Sequence, residues 1–192
     1  MDMFFDKAMV RQKLQEWGKT LADYSLPGWE DFPALPLYMD QVIYLLNGYL
    51  SPVPVHPEED PIVTPAMINN YVKLKIVPAP VKKRYDRLHL AYLVMVCVLK
   101  QTMNTGDIKR LLPADLPEDA VRSLYAAFVK TVDEIKGSFC ESVRQAARPV
   151  LEKDGLPVTQ LVFRCAVAGN LYKQAAVHLV SLQGQGEKPG ES

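Results

Sequence analysis

The segment TPAMINNYVKLKIVPAPVKKRYD, residues 64–86, decides how the chain is read. Thr64 and Pro65 form a helix start, because a threonine oxygen accepts from an orphan backbone N–H and proline fits the first helical position, where no donor is needed. The helix is expected to end near Lys75. Val77-Pro-Ala-Pro-Val81 must then be extended, since each proline disfavours helix in the residue before it. Lys82, Lys83, Arg84 and Tyr85 follow, and Asp86 is a fitting N-cap for the apolar run that leads to about Thr102. A capped helix, an extended Pro-rich link, a basic stretch and a second capped helix therefore lie within forty residues.

Upstream, ten of the fifteen prolines lie between Pro27 and Pro80, so helices there must be short. Leu37 to Leu50 brings Tyr38, Val42, Leu45, Leu46 and Tyr49 to helical spacing. The first segment, Phe4 to Tyr24, places Val10, Leu14, Trp17 and Leu21 on one face. The stretch from Ser51 to Pro61 is expected to be a polar loop. Downstream, Thr105 to Leu112 is a short helix. Beyond Pro117, Val121, Tyr125, Phe128, Val132, Ile135 and Phe139 form a four-three seam. Its register breaks at Val143, where an eleven-residue pattern would absorb the step before Ala146 and Val150, and Gly137 is its weak point. After a turn at residues 153–157, a last helix sets Leu161, Cys165, Ala168, Tyr172, Ala175, Leu179 and Leu182 along one side. The tail from Gly184 is expected to be disordered.

The 192 residues suit one domain of ordinary size, or a small domain with a helical appendage. The longest apolar stretch, Leu88 to Leu99, falls short of a bilayer crossing, so no membrane partner is expected. The acidic N-terminus lacks a secretory signal, which places the chain in the cytoplasm. Cys97, Cys140 and Cys165 are far apart and read as buried thiols. The net charge of zero conceals a strong asymmetry. Residues 1–60 carry 4 basic and 10 acidic side chains, 61–112 carry 9 and 2, and 113–192 carry 9 and 10. The basic island in the middle fits a nucleic-acid backbone, a solvated face or an internal acidic partner.

A helix that enters the major groove needs side chains able to form two hydrogen bonds with a base edge. Asn69 and Asn70 are of that type, although local capping or a solvated face would also use asparagine. Lys73, Lys75, Lys82, Lys83, Arg84 and Arg87 suit flanking phosphates. Tyr71 fits either a phosphate contact or packing at the helix end. His56, His89 and His178 sit on separate segments without metal-ligand spacing, and Glu58-Glu59-Asp60 reads as a solvated loop. No phosphate loop, nucleophile elbow or zinc motif is present, so neither a catalytic residue, a metal nor a cofactor is expected.

The order of parts resembles the MerR-type winged helix-turn-helix. Met67-Ile-Asn-Asn-Tyr71 would lie in the recognition helix, Lys75-Ile-Val-Pro78 would form the turn, and Lys83-Arg84-Tyr85 would end the wing. The helix over Leu37 to Leu50 is set apart by the Pro-rich segment, and Lys75 stands where that family has a glycine. Three words, Leu37-Tyr-Met-Asp-Gln-Val42, Thr64-Pro-Ala-Met-Ile-Asn-Asn-Tyr-Val-Lys73 and Lys82-Lys83-Arg84-Tyr85, are similar to the uncharacterised bacterial domain family DUF1836, over about Leu35 to Leu112. The resemblance implies a divergent winged fold and a regulatory, DNA-binding expectation.

The expected protein is mainly α. It comprises an N-terminal amphipathic helix and Pro-rich turn (1–34), a MerR-like winged helix-turn-helix domain (35–112), a C-terminal helical hairpin for dimerisation or effector binding (113–183) and a tail (184–192). Duplex DNA is the expected partner, met through Thr64, Asn69, Asn70, Tyr71, Lys73, Lys75, Lys82, Lys83, Arg84 and Arg87. A homodimer through the C-terminal helices is expected, because the seam is longer than the domain needs to cap its own wing. The rival is a non-enzymatic adaptor whose basic island meets an acidic protein surface.

Overall fold

The computed structural model describes residues 5–51, 62–152 and 155–183. The expected loop, with His56 and the Glu58-Glu59-Asp60 run, and the expected tail lie outside the described residues but for Ser51. The same holds for Lys153 and Asp154 of the expected turn. The described residues hold seven α-helices: α1 (Lys7–Asp23), α2 (Met39–Leu50), α3 (Pro65–Lys73), α4 (Arg87–Leu99), α5 (Thr105–Leu111), α6 (Glu118–Leu151) and α7 (Val158–Ser181). Among the described residues a single 3-10 turn spans Trp29–Asp31, and the β-structure is confined to two isolated antiparallel bridges, Leu37 with Tyr85 and Val81 with Arg84. Among these residues no helix is long and apolar enough to cross a membrane.

Cap chemistry fixes the helix starts. Asp6, Thr64, Asp86 and Asn104 each accept from a backbone N–H in the first turn of α1, α3, α4 and α5. Each satisfies a donor that the helix itself leaves unpaired.

The chain divides into two compact units, Leu26–Val129 with Lys173–Ser192, and Met1–Ser25 with Lys130–Tyr172. In the first, α4 is the central element. Every residue from His89 to Cys97 is buried, as a helix that is apolar all round must be. α2 packs on α4 and α3, setting Val42, Leu46 and Leu50 inward. Burial pushes the Cys97 thiol up to about 12, so it remains protonated, whereas Cys165 is exposed, against the expectation of three buried thiols. The buried His89 ring places Nδ1 2.6 Å from Asp86 Oδ1 and Nε2 3.3 Å from the Ala79 carbonyl, tying the extended Pro-rich link to the start of α4.

In the second unit Ala147 and Val150 of α6 meet Val158 and Leu161 of α7, with Val10 and Leu14 of α1 against them. An open groove of about 950 Å3 runs beside Gly18 between α1 and α6. The α6 register differs from the expected seam. Ile135 and Phe139 are exposed by 60% and 41%, while Lys136 and Cys140 take the inward positions. The inward stripe runs Val132, Lys136, Cys140, Val143, Ala147, Val150, at the spacing of a straight helix. A strict heptad would rotate away from that line unless the helix supercoiled around a partner. The eleven-residue step was therefore expected one turn too late. Helix α6 continues through Gly137 without interruption.

Candidate nucleic-acid interface

Helix α3 buries Ile68 and Tyr71, and burial pushes the Tyr71 hydroxyl up to about 12. Tyr71 is 3% exposed and serves as packing. The 3.6-residue period places Ala66, Asn69, Asn70 and Lys73 on the opposite side, all of them exposed. The side chains of Asn69 and Asn70 make no hydrogen bond among the described residues, so their amide groups are free to pair with something else.

The helix ends in a Schellman motif. Lys75 N–H donates to the Val72 carbonyl (3.0 Å) and Ile76 N–H to the Tyr71 carbonyl (2.9 Å), and both Ile76 and Tyr71 are buried. The motif requires a left-handed residue after the C-cap, and Lys75 occupies it with φ 56°. A Cβ in that region costs about 1 kcal/mol or more, so glycine is the usual choice. Lys75→Gly is accordingly expected to stabilise the fold by about 0.5 to 1 kcal/mol, the relief being partly offset by the greater freedom of glycine in the unfolded chain. A urea midpoint that falls instead would show that the lysine side chain itself supports the turn.

The basic stretch forms a two-residue hairpin turn. Arg84 N–H donates to the Val81 carbonyl at 2.9 Å, and Lys82 and Lys83 both have positive φ, 49° and 61°. That is the geometry of a type I′ turn, in which Asn-Gly is the preferred pair. All three non-glycine residues with positive φ among the described residues are thus lysines of the basic island. Lys73, Lys75, Lys82 and Lys83 are exposed, and none of them pairs with a carboxylate among the described residues.

The remaining candidates are engaged within the fold. The Thr64 hydroxyl accepts from Met67 N–H at 3.2 Å as the α3 cap. The Arg84 guanidinium lies 3.6 Å over the centre of the Tyr38 ring, and it donates to the Tyr38 hydroxyl (2.6 Å) and the Pro36 carbonyl (3.2 Å). Tyr38, expected on the inner face of α2, is an exposed N-cap and forms the platform for that arginine. Next to it, Tyr85 exchanges both backbone hydrogen bonds with Leu37 (2.7 and 2.9 Å). Arg87 donates to the Phe32 carbonyl (3.0 Å) and pairs with Glu30 at 2.5 Å, while Arg122 holds the other oxygen of the same carboxylate. Glu30 is therefore an internal acidic partner for one member of the basic island, and of the candidate residues the four lysines are left open.

The family model of a domain of unknown function (DUF1836) matches residues 27–128, just over half the chain. Those limits fall within one residue of the Leu26–Val129 stretch of the compact unit. The match takes in the Pro27 to Ala34 segment and the first turns of α6, which the Tyr125 hydroxyl joins by donating to the Pro27 carbonyl at 2.7 Å. No curated protein matches the chain, and no solved structure does.

Proposed function

The chain belongs to the DUF1836 family, and from that premise we propose that its 27–128 domain reads duplex DNA as a divergent MerR-type winged helix-turn-helix, making the protein a non-enzymatic transcriptional regulator of the cytoplasm. In this reading α2 is the supporting helix, α3 the recognition helix, and the Val81–Arg84 turn a wing reduced to its tip. The observation that carries it is the outward face of α3, where two asparagines without intramolecular partners stand beside Lys73. An asparagine amide matches the N6 and N7 edge of adenine, and lysines suit the phosphates on either side. Lys75, Lys82 and Lys83 supply further positive charge at turns where a neutral glycine or asparagine would be easier to accommodate. Thr64, Tyr71, Arg84 and Arg87 act in this reading as the scaffold that sets those groups in place.

The test is a set of binding isotherms on a duplex selected from a random pool and on a scrambled duplex, at several salt concentrations. Asn70→Ala is expected to cost about 1 to 3 kcal/mol on the selected duplex and little on the scrambled one, because base contacts discriminate and phosphate contacts do not. Equal losses on both duplexes remove Asn70 from recognition. Binding by the parent protein that is weak and indifferent to sequence overturns the reading and favours an acidic protein surface as the partner.

A further inference from the structure

Helix α7 buries Val158 and Leu161, and most of the remaining expected stripe stays open: Cys165, Tyr172, Ala175, Leu179 and Leu182 are exposed. None of its described residues lines the groove beside Gly18, which is walled by α1 and α6 alone. Leu14, Val143, Ala147 and Leu151 form an apolar floor, buried or half-buried, and Trp17 adds a ring that is 44% exposed. Gly18 stands in the middle of α1 and of this groove. A Cβ there would meet no neighbouring atom within 4 Å, so packing does not require glycine, and glycine inside a helix costs stability. Its effect is to keep the centre of the groove open. The charged side chains that line it are mostly basic. Arg11, Lys19, Arg144 and Arg148 stand against Glu141 and Glu152, a surplus of two positive charges in a chain whose net charge is zero. Glu141 is already paired with Arg144 at 2.6 Å, and Arg11 and Arg148 are in no ion pair among the described residues.

We propose that this groove binds an organic anion, a carboxylate carried on an elongated apolar body. Its volume of about 950 Å3 lies within the range of small-molecule sites. The floor takes the apolar body, and the cations along the edges take the carboxylate, for which arginine is suited because a guanidinium can donate two parallel hydrogen bonds. A neutral ligand forgoes those charge-assisted bonds, and a cationic one meets the surplus positive charge. The inference goes beyond the DNA reading and is independent of it. All the lining residues fall within 11–22 and 140–152, outside the 27–128 segment that the family model matches.

The test titrates the full chain with decanoate, decanol and decyltrimethylammonium, followed by calorimetry and by tryptophan emission. Decanoate is expected to bind, decanol at least about tenfold more weakly, and the ammonium not at all. Of the two tryptophans Trp29 is buried and Trp17 lines the groove, so Trp17→Phe should abolish the emission change and retain the heat of binding. Gly18→Leu fills the centre of the groove with a better helix former. It should weaken decanoate at least about tenfold while the melting temperature holds or rises. Lys19→Gln combined with Arg148→Gln should lower decanoate to the affinity of decanol and leave decanol unchanged. The inference is overturned by decanoate that fails to bind below about 1 mM or binds no better than decanol or the ammonium. An emission change that survives Trp17→Phe, or decanoate affinity that is the parent's in Gly18→Leu or in the Lys19, Arg148 double variant, overturns it equally.

Discussion

Tyr125→Ala is expected to remove about 3 to 5 kcal/mol of stability, a large part of what a domain of this size possesses. The ring is fully buried in the first half of α6, 5.2 Å from the Phe32 ring, and Phe32 in turn meets Trp29. Its hydroxyl donates to the Pro27 carbonyl, and one turn earlier Arg122 pairs with Glu30. A proline-punctuated segment whose only regular structure among the described residues is one 3-10 turn thus meets α6 at a side chain that supplies both apolar area and a donor. Tyr125→Phe keeps the ring and strands the carbonyl, which should cost about 1 to 3 kcal/mol. Urea unfolding separates the two: midpoints should fall in the order parent, Phe, Ala at constant slope. An alanine loss below about 1 kcal/mol would mean that the cavity collapses without penalty and that the 26–32 segment is held by something else.

What the sequence disclosed and what it withheld divide along a physical line. Caps are local: Thr64 with Pro65 and Asp86 each bond within three residues, so those helix starts were legible from residue type alone. The burial of α4 was legible because His89 alone interrupts its apolar run from Leu88 to Leu99. The α6 register was not, because Ile135 and Lys136 compete for one inward position and the apolar residue loses. The straight helix turns Lys136 inward, and its ammonium group reaches the Tyr24 carbonyl while pairing with Asp133. A long aliphatic stem lets a lysine do this without burying its charge unpaired. Among the site candidates, residue chemistry was visible and engagement was not. Arg84 and Lys83 are neighbours with the same charge, yet one is stacked on a tyrosine 46 residues away and the other is open to solvent. The Arg87 to Glu30 pair spans 57 residues and leaves no local trace. The hairpin turn was hidden for a different reason, since its usual mark is Asn-Gly and here both left-handed positions hold lysine.

That substitution leads to the prediction with the most diagnostic outcome. Exchanging Lys82 for Asn together with Lys83 for Gly gives the turn its preferred pair, and it is expected to stabilise the fold by about 1 to 2 kcal/mol because two left-handed lysines each carry a penalty. If the turn touches phosphates, the same variant should bind duplex more weakly. Its salt slope should be lower by roughly 0.9 for each lost contact, close to 2 for the pair, and it should keep the parent sequence preference, since the α3 face is untouched. Stability and affinity would then move in opposite directions from one change, which is the expected mark of residues retained for binding at a cost to folding. A variant that is more stable and binds duplex as tightly as the parent, with the same salt slope, would show that the lysines of the turn do not contact the backbone. Melting curves and isotherms at three salt concentrations are sufficient to distinguish the two, and the melting curve also guards against misreading an unfolded variant as a binding defect.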